Sequence, residues 1–153
     1  MMITAYDLAQ RYIGIRELAG DHQHPLIQWW LSLCGFALAT PDEVPWCAAF
    51  VNGIAWELRL PRSKSAAARS WLTVGRPVAL MEAEVGYDVV ILSRGEPPQP
   101  PATVIAAPGH VGFFAGLAIG NQIELLGGNQ HDGVCVEAFP IERVLGLRRL
   151  QEP

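Results

Sequence analysis

A change of hydrophobic period near the middle of the chain constrains its fold more than any other feature. Up to about residue 72 the apolar positions recur at helical spacing, and from about residue 88 they run in short β-rich stretches bounded by Gly, Pro and Asn. Leu8, Ala9, Tyr12, Ile13 and Ile15 predict a helix over 5–18 with Thr4 as N-cap, and Leu26, Ile27, Trp30, Leu31 and Leu33 predict another over 25–36. The apolar run 29–39 is broken by Ser32 and Gly35 and falls far short of the ~20 residues of a membrane span, so it reads as a core helix. Further helices are expected over 47–60, where Pro61 stops the pattern, and over 65–72. Strands are expected over 88–93, 110–117, 122–126, 133–139 and 144–150. Helices first and strands second predict an α+β fold, with N-terminal helices packed on an antiparallel sheet. The segment 95–108 carries Pro97, Pro98, Pro100, Pro101 and Pro108, cannot join a ladder, and is expected as an exposed loop overhanging residue 110.

The chain has 153 residues, half of them hydrophobic, which is enough for one core and predicts a single domain over 1–153. Its net charge is −4 and it has no basic run, so the electrostatic footprint of a nucleic-acid binder is missing. Three widely spaced cysteines, Cys34, Cys47 and Cys135, make neither a disulfide framework nor a C-x-x-C zinc pair and are expected to be free thiols. His22 and His24 alone are too few to hold a metal, and no metal or cofactor is expected.

Cys47 carries the chemistry. The run Pro45-Trp46-Cys47-Ala48-Ala49-Phe50-Val51-Asn52 puts it at a helix start, where unpaired N–H groups and the helix dipole are expected to lower its pKa. Cys34 and Cys135, inside a helix and a strand, are expected to pack. Gly109-His110-Val111-Gly112 brings an imidazole into a strand, and Gly127-Gly128-Asn129-Gln130 ends another. Cysteine at a helix start, then histidine, then a polar orienting residue is the order of a papain-like thiol hydrolase, with the histidine as base. Asn129 is the expected orienter, with His131 and Asp132 as rivals. Asp42 and Glu43, just before the nucleophile, are candidates to bind a substrate amine or to cap the helix.

These segments, together with His24-Pro25-Leu26-Ile27, Ser65-Ala66-Ala67-Ala68-Arg69-Ser70-Trp71-Leu72 and Asp88-Val89-Val90-Ile91-Leu92, resemble the CHAP and NlpC-like superfamily of cell-wall cysteine amidohydrolases and peptidases, in particular its small phage- and prophage-associated branch. The resemblance implies a papain-like fold, Cys47 as nucleophile, His110 as base and Asn129 as orienter. It implies peptidoglycan as substrate, with Asp42, Glu43, Trp46, Arg69 and Trp71 along the binding site. Two departures stand out: Gly127 occupies the place where many CHAP relatives carry a glutamate, and the proline-rich stretch before His110 is longer than usual. No signal peptide of the Sec type is visible, so a monomer made in the cytoplasm is expected to reach the wall by lysis, injection or secretion. A phage tail, a secretion apparatus or an immunity protein would then be its partner. An inactive wall-binding module and a thioester-forming acyltransferase are the alternatives of other classes.

Overall fold

The computed structural model describes residues 1–41 and 44–153. Among these, helices α1 (Ala5–Gln10), α2 (Pro25–Ser32) and α3 (Cys47–Glu57) precede a six-stranded antiparallel sheet. Its strands are β1 (Arg76–Val78), β2 (Asp88–Ser93), β3 (Gly109–Ala118), β4 (Gln122–Gln130), β5 (Gly133–Pro140) and β6 (Val144–Arg149), in the order β1-β6-β2-β3-β4-β5. The α+β class and all five expected strands are present. No helix among the described residues is long and apolar enough to cross a membrane.

Local chemistry sets the helix starts. Thr4 and Asp7 form a reciprocal capping box at α1, with N···O distances of 3.0 and 3.1 Å. Pro25 opens α2 while the His24 ring accepts from the Leu26 N–H at 3.1 Å. Two helix ends come earlier than the periodicity predicts. After α1 the chain turns at Gly14, whose φ of +100° only glycine takes up readily, and becomes extended against the β4–β5 hairpin. There Val134 N–H donates to Ile15 O and Glu17 N–H to Asp132 O, both at 2.8 Å. Helix α2 stops at Ser32, Gly35 turns at φ +90°, and Phe36 and Leu38 are exposed, so 33–39 is not core helix. The unexpected β1 is a three-residue edge strand containing Pro77, too short for any period.

Helix α3 is the pivot of the molecule, with every residue from 47 to 55 buried. On one side Trp30 packs edge-on against Phe50 at 4.9 Å between centroids and stacks on Trp46 at 5.8 Å; on the other Phe50 meets Phe113 of β3 at 6.1 Å. A second core of Val90, Leu92, Phe114, Ile123, Leu125, Phe139 and Leu147 fills the other side of the sheet. Central β2 is therefore buried throughout, as its unbroken apolar run predicts. Asp88 at its start is held by Arg149 of β6 through two 2.8 Å bonds.

Candidate active site

Helix α3 starts without a side-chain cap: Trp46 occupies the N-cap, and its indole N–H donates to Glu17 Oε1 at 2.8 Å. The first-turn N–H groups are left over, and those of Cys47 and Ala48 interact with the Cys47 sulfur. The Val111 N–H of β3 joins them, which sets the thiol one residue from His110. Burial nevertheless pushes the thiol above its ordinary value; the three N–H groups and the charge of Arg94 pull it back only in part. The expected lowering is corrected accordingly: the helix start helps the thiolate, but the dry surroundings penalise it more.

His110 is 7% exposed, and its Nε2 lies 2.8 Å from Oε1 of Gln130. The Gln130 amide cannot turn round, because its Nε2 donates to Cys135 O at 2.8 Å and to Leu125 O at 3.2 Å. A carbonyl oxygen only accepts, so the ring carries its proton on Nε2 and leaves the Nδ1 lone pair free. Burial pushes the imidazole down to about 4; the Gln130 bond opposes this, and the nearby charges of Arg143 and Arg94 add to it. Near neutral pH the site therefore holds a thiol and a neutral imidazole.

The side chain that meets the His110 ring is that of Gln130, and the expectation for Asn129 is corrected. The β4–β5 register shifts between Gly127 and Gln130, Asn129 takes a left-handed φ of +56°, and this bulge changes which side chain turns inward. Asn129 lies half-buried in the bulged end of β4. Its rivals also point away: His131 is exposed and pairs with Glu137 at 3.3 Å, and Asp132 is exposed. The neighbouring glycines make the room. A Cβ on Gly127 would collide with the Gln130 amide oxygen, so a glutamate there is incompatible with this orienter, and a Cβ on Gly128 would lie 2.6 Å from the Trp46 ring.

Cys47 opens into a cleft of about 440 Å³. One wall is Pro45 and Ala66 to Ala68; the other is Ala106 to Gly109, from the proline-rich loop that was expected to overhang the site. Asn52 shapes the first wall from inside the core: its Oδ1 accepts from Lys64 N–H at 2.9 Å and its Nδ2 donates to Ser65 O at 3.2 Å. A polar residue inside an otherwise apolar helix was the available signal for this role.

The expected substrate-binding residues take other places. Arg69 is fully buried and holds the far wall, with Nε on Pro108 O at 3.1 Å, Nη1 on Pro100 O at 3.1 Å and Pro101 O at 2.9 Å, and Nη2 on Gln99 Oε1 at 3.3 Å. Trp46 and Trp71 are fully buried core residues. None of the three has a face free for substrate. Asp42 and Glu43 lie outside the described residues. Arg94, at the end of β2, was not anticipated, although it is exposed and lines the cleft beside Cys47.

No family model matches this chain, and no curated protein matches it. Among solved structures, NlpC1 from Trichomonas vaginalis is similar, with a TM-score of 0.53 and 14% sequence identity over 95% of this chain. The match spans 42% of that protein's chain. The likeness shows the fold: α+β, papain-like, of the NlpC type.

Proposed function

We propose that this chain is a cysteine peptidase or amidase that cleaves an amide bond of the peptidoglycan peptide. The reading is carried by the oriented pair: a Cys47 sulfur beside the Val111 N–H, and an adjacent His110 whose proton is fixed on Nε2. His110 Nδ1 takes the thiol proton as Cys47 Sγ attacks the amide carbonyl. The tetrahedral oxyanion is stabilised at the uncapped start of α3 by the Cys47 N–H. The imidazolium then protonates the leaving amine, leaving a thioester on Cys47. Water attacks the thioester with Nδ1 as base; the C–S bond breaks, the acid departs and the thiol regains its proton. Because the resting pair is neutral, thiolate forms as the proton moves to Nδ1 and is not held as a standing ion pair.

Peptidoglycan as the substrate, and a phage-borne or secreted setting, rest on the resemblance of the Pro45–Asn52, Gly109–Phe113 and Leu125–Gln130 segments to cell-wall amidohydrolases. The test is mass analysis of purified sacculi incubated with the protein. Soluble fragments with a new amine and a new carboxyl group are expected from the wild type and none from Cys47→Ala, and the fragment masses name the bond. Fragments released equally by Cys47→Ala would remove the nucleophile. Intact sacculi alongside turnover of other peptide amides would remove the wall as substrate.

A further inference from the structure

The end of α3 remote from Cys47 carries an open tryptophan. Trp56 lies nine residues along the helix, about 14 Å down its axis at ~1.5 Å per residue, and is 49% exposed. Its ring meets Trp29 at 86° with 5.3 Å between centroids, an edge contact in which Trp29 covers at most one face of the indole. Trp56 shares a cleft of about 490 Å³ with Glu57, Arg59, Leu60 and Arg62. That volume falls within the roughly 300–1,000 Å³ of small-molecule sites. Glu57 is fixed in place, since its Oε1 accepts from the Tyr12 hydroxyl at 2.7 Å.

Arg59 stands where the backbone favours glycine. Leu60 N–H donates to Ala55 O at 2.8 Å and Arg59 N–H to Trp56 O at 3.2 Å, the two bonds that close a helix through a left-handed residue, and Arg59 has φ +56°. Any side chain is strained there. Attraction of a cation to the helix C-terminus does not account for it, because a cation elsewhere in the last turn has the same effect without the strain. What the arginine adds is an exposed guanidinium in the Trp56 cleft.

The cleft thus sets a flat apolar platform among planar polar groups, Glu57 accepting and Arg59 and Arg62 donating. A pyranose ring has the complementary surface: a face of C–H bonds and a rim of hydroxyls that both donate and accept. A wholly apolar partner would strand the charges, and a bare anion would leave the indole unused and be repelled by Glu57. We infer that Trp56, Glu57, Arg59 and Arg62 form a saccharide-binding site, with the indole stacked on the C–H face of an uncharged sugar ring and the charged groups on its hydroxyls. The site is separate from the Cys47 cleft and rests on no step of the thiol chemistry.

The test is isothermal calorimetry of the full chain with two probes whose equatorial linkages leave flat C–H faces, cellotetraose and tetra-N-acetylchitotetraose. Saturable binding of at least one is expected, and it should be unchanged in Cys47→Ala. Trp56→Ala should weaken it about tenfold, and Trp56→Phe, which keeps a smaller platform, much less. Arg59→Gly should weaken it about three- to fivefold while raising the urea midpoint, since glycine relieves the left-handed strain. Weaker binding by a more stable protein is not a folding defect. Absence of binding by both probes overturns the site, and so does binding that Trp56→Ala or Arg59→Gly leaves intact. A wild-type dimer that Trp56→Ala dissociates, read by sedimentation equilibrium, assigns the face to a second copy and overturns the site as well. None of these outcomes touches the hydrolase reading, which stands or falls with Cys47→Ala on sacculi.

Discussion

The two walls of the Cys47 cleft are held by opposite means. On the α3 side the support is apolar volume: the helix is buried from 47 to 55 and wedged between Trp30 and Phe113. On the proline-rich side it is one polar side chain, Arg69, reaching Pro100, Pro101, Pro108 and Gln99. The difference follows from what each sequence offers. A helix satisfies its own backbone and can present a dry surface; a proline-rich loop has carbonyls to satisfy but few N–H groups, and a guanidinium with five donors is their natural complement. One wall is therefore sensitive to size, and the other to the loss of a donor.

Substitutions can break this contrast. Arg69→Met keeps much of the volume and removes every donor, and is expected to cost about 3 kcal/mol in urea unfolding, since the charge-assisted bonds to the Pro100, Pro101 and Pro108 carbonyls are lost together. A loss under about 1 kcal/mol would mean that the loop wall holds itself. Next comes acidification, which acts on the packed side through His110. Its folded value of about 4 lies below the ordinary value of about 6.5, so the unfolded chain binds more protons between those limits. Its contribution to stability is complete above about pH 6.5, is lost as the pH falls to about 4, and amounts to roughly 3 kcal/mol. Wild type should lose that much more than His110→Asn over the same range, read from paired denaturant curves at each pH.

Smaller effects sharpen the picture. Gly128→Ala forces a methyl group into Trp46 and Phe50 and should cost about 2 kcal/mol, with the cleft loop unaffected by limited proteolysis. Gln130→Ala should slow turnover about tenfold through loss of ring orientation, well short of the near-complete loss from His110→Ala. Asn129→Gly should change turnover little and stability by less than about 0.5 kcal/mol, because its left-handed backbone suits glycine. Greater loss of turnover in Asn129→Gly than in Gln130→Ala would return the orienting role to residue 129.

The contrast also explains what could be read in advance. Strands β2 to β6 and the starts of all three helices were legible, because apolar period, prolines and caps act locally. The ends of α1 and α2 were not, since apolar residues past Gly14 and Ser32 continue a helical pattern while the chain follows tertiary partners. Cys47 and His110 were legible as residue types in a recognisable order. The choice between Asn129 and Gln130 was not, because one bulge inverts the side-chain alternation and no local signal marks which neighbour turns in. Arg69 was misread for a related reason: a charged residue in a motif was taken as a contact for substrate, when its partners are carbonyls some 30 to 40 positions downstream.

The Gln130 clamp has a consequence for how the protein fails. Its two anchoring carbonyls come from opposite arms of one hairpin, Leu125 from β4 and Cys135 from β5, and β5 is the last strand of the sheet, paired with β4 along its length and with residues 14–17 at its start. Outer strands are the first part of a sheet to open. If β5 peels away, one anchor is lost, the amide is free to rotate, and the imidazole no longer has a fixed place for its proton. Cleavage competence should therefore vanish at a lower urea concentration than tryptophan fluorescence changes, because Trp30 and Trp46 report on the α3 side. The hairpin acts as a fuse, silencing the thiol's partner while the rest of the molecule is still folded.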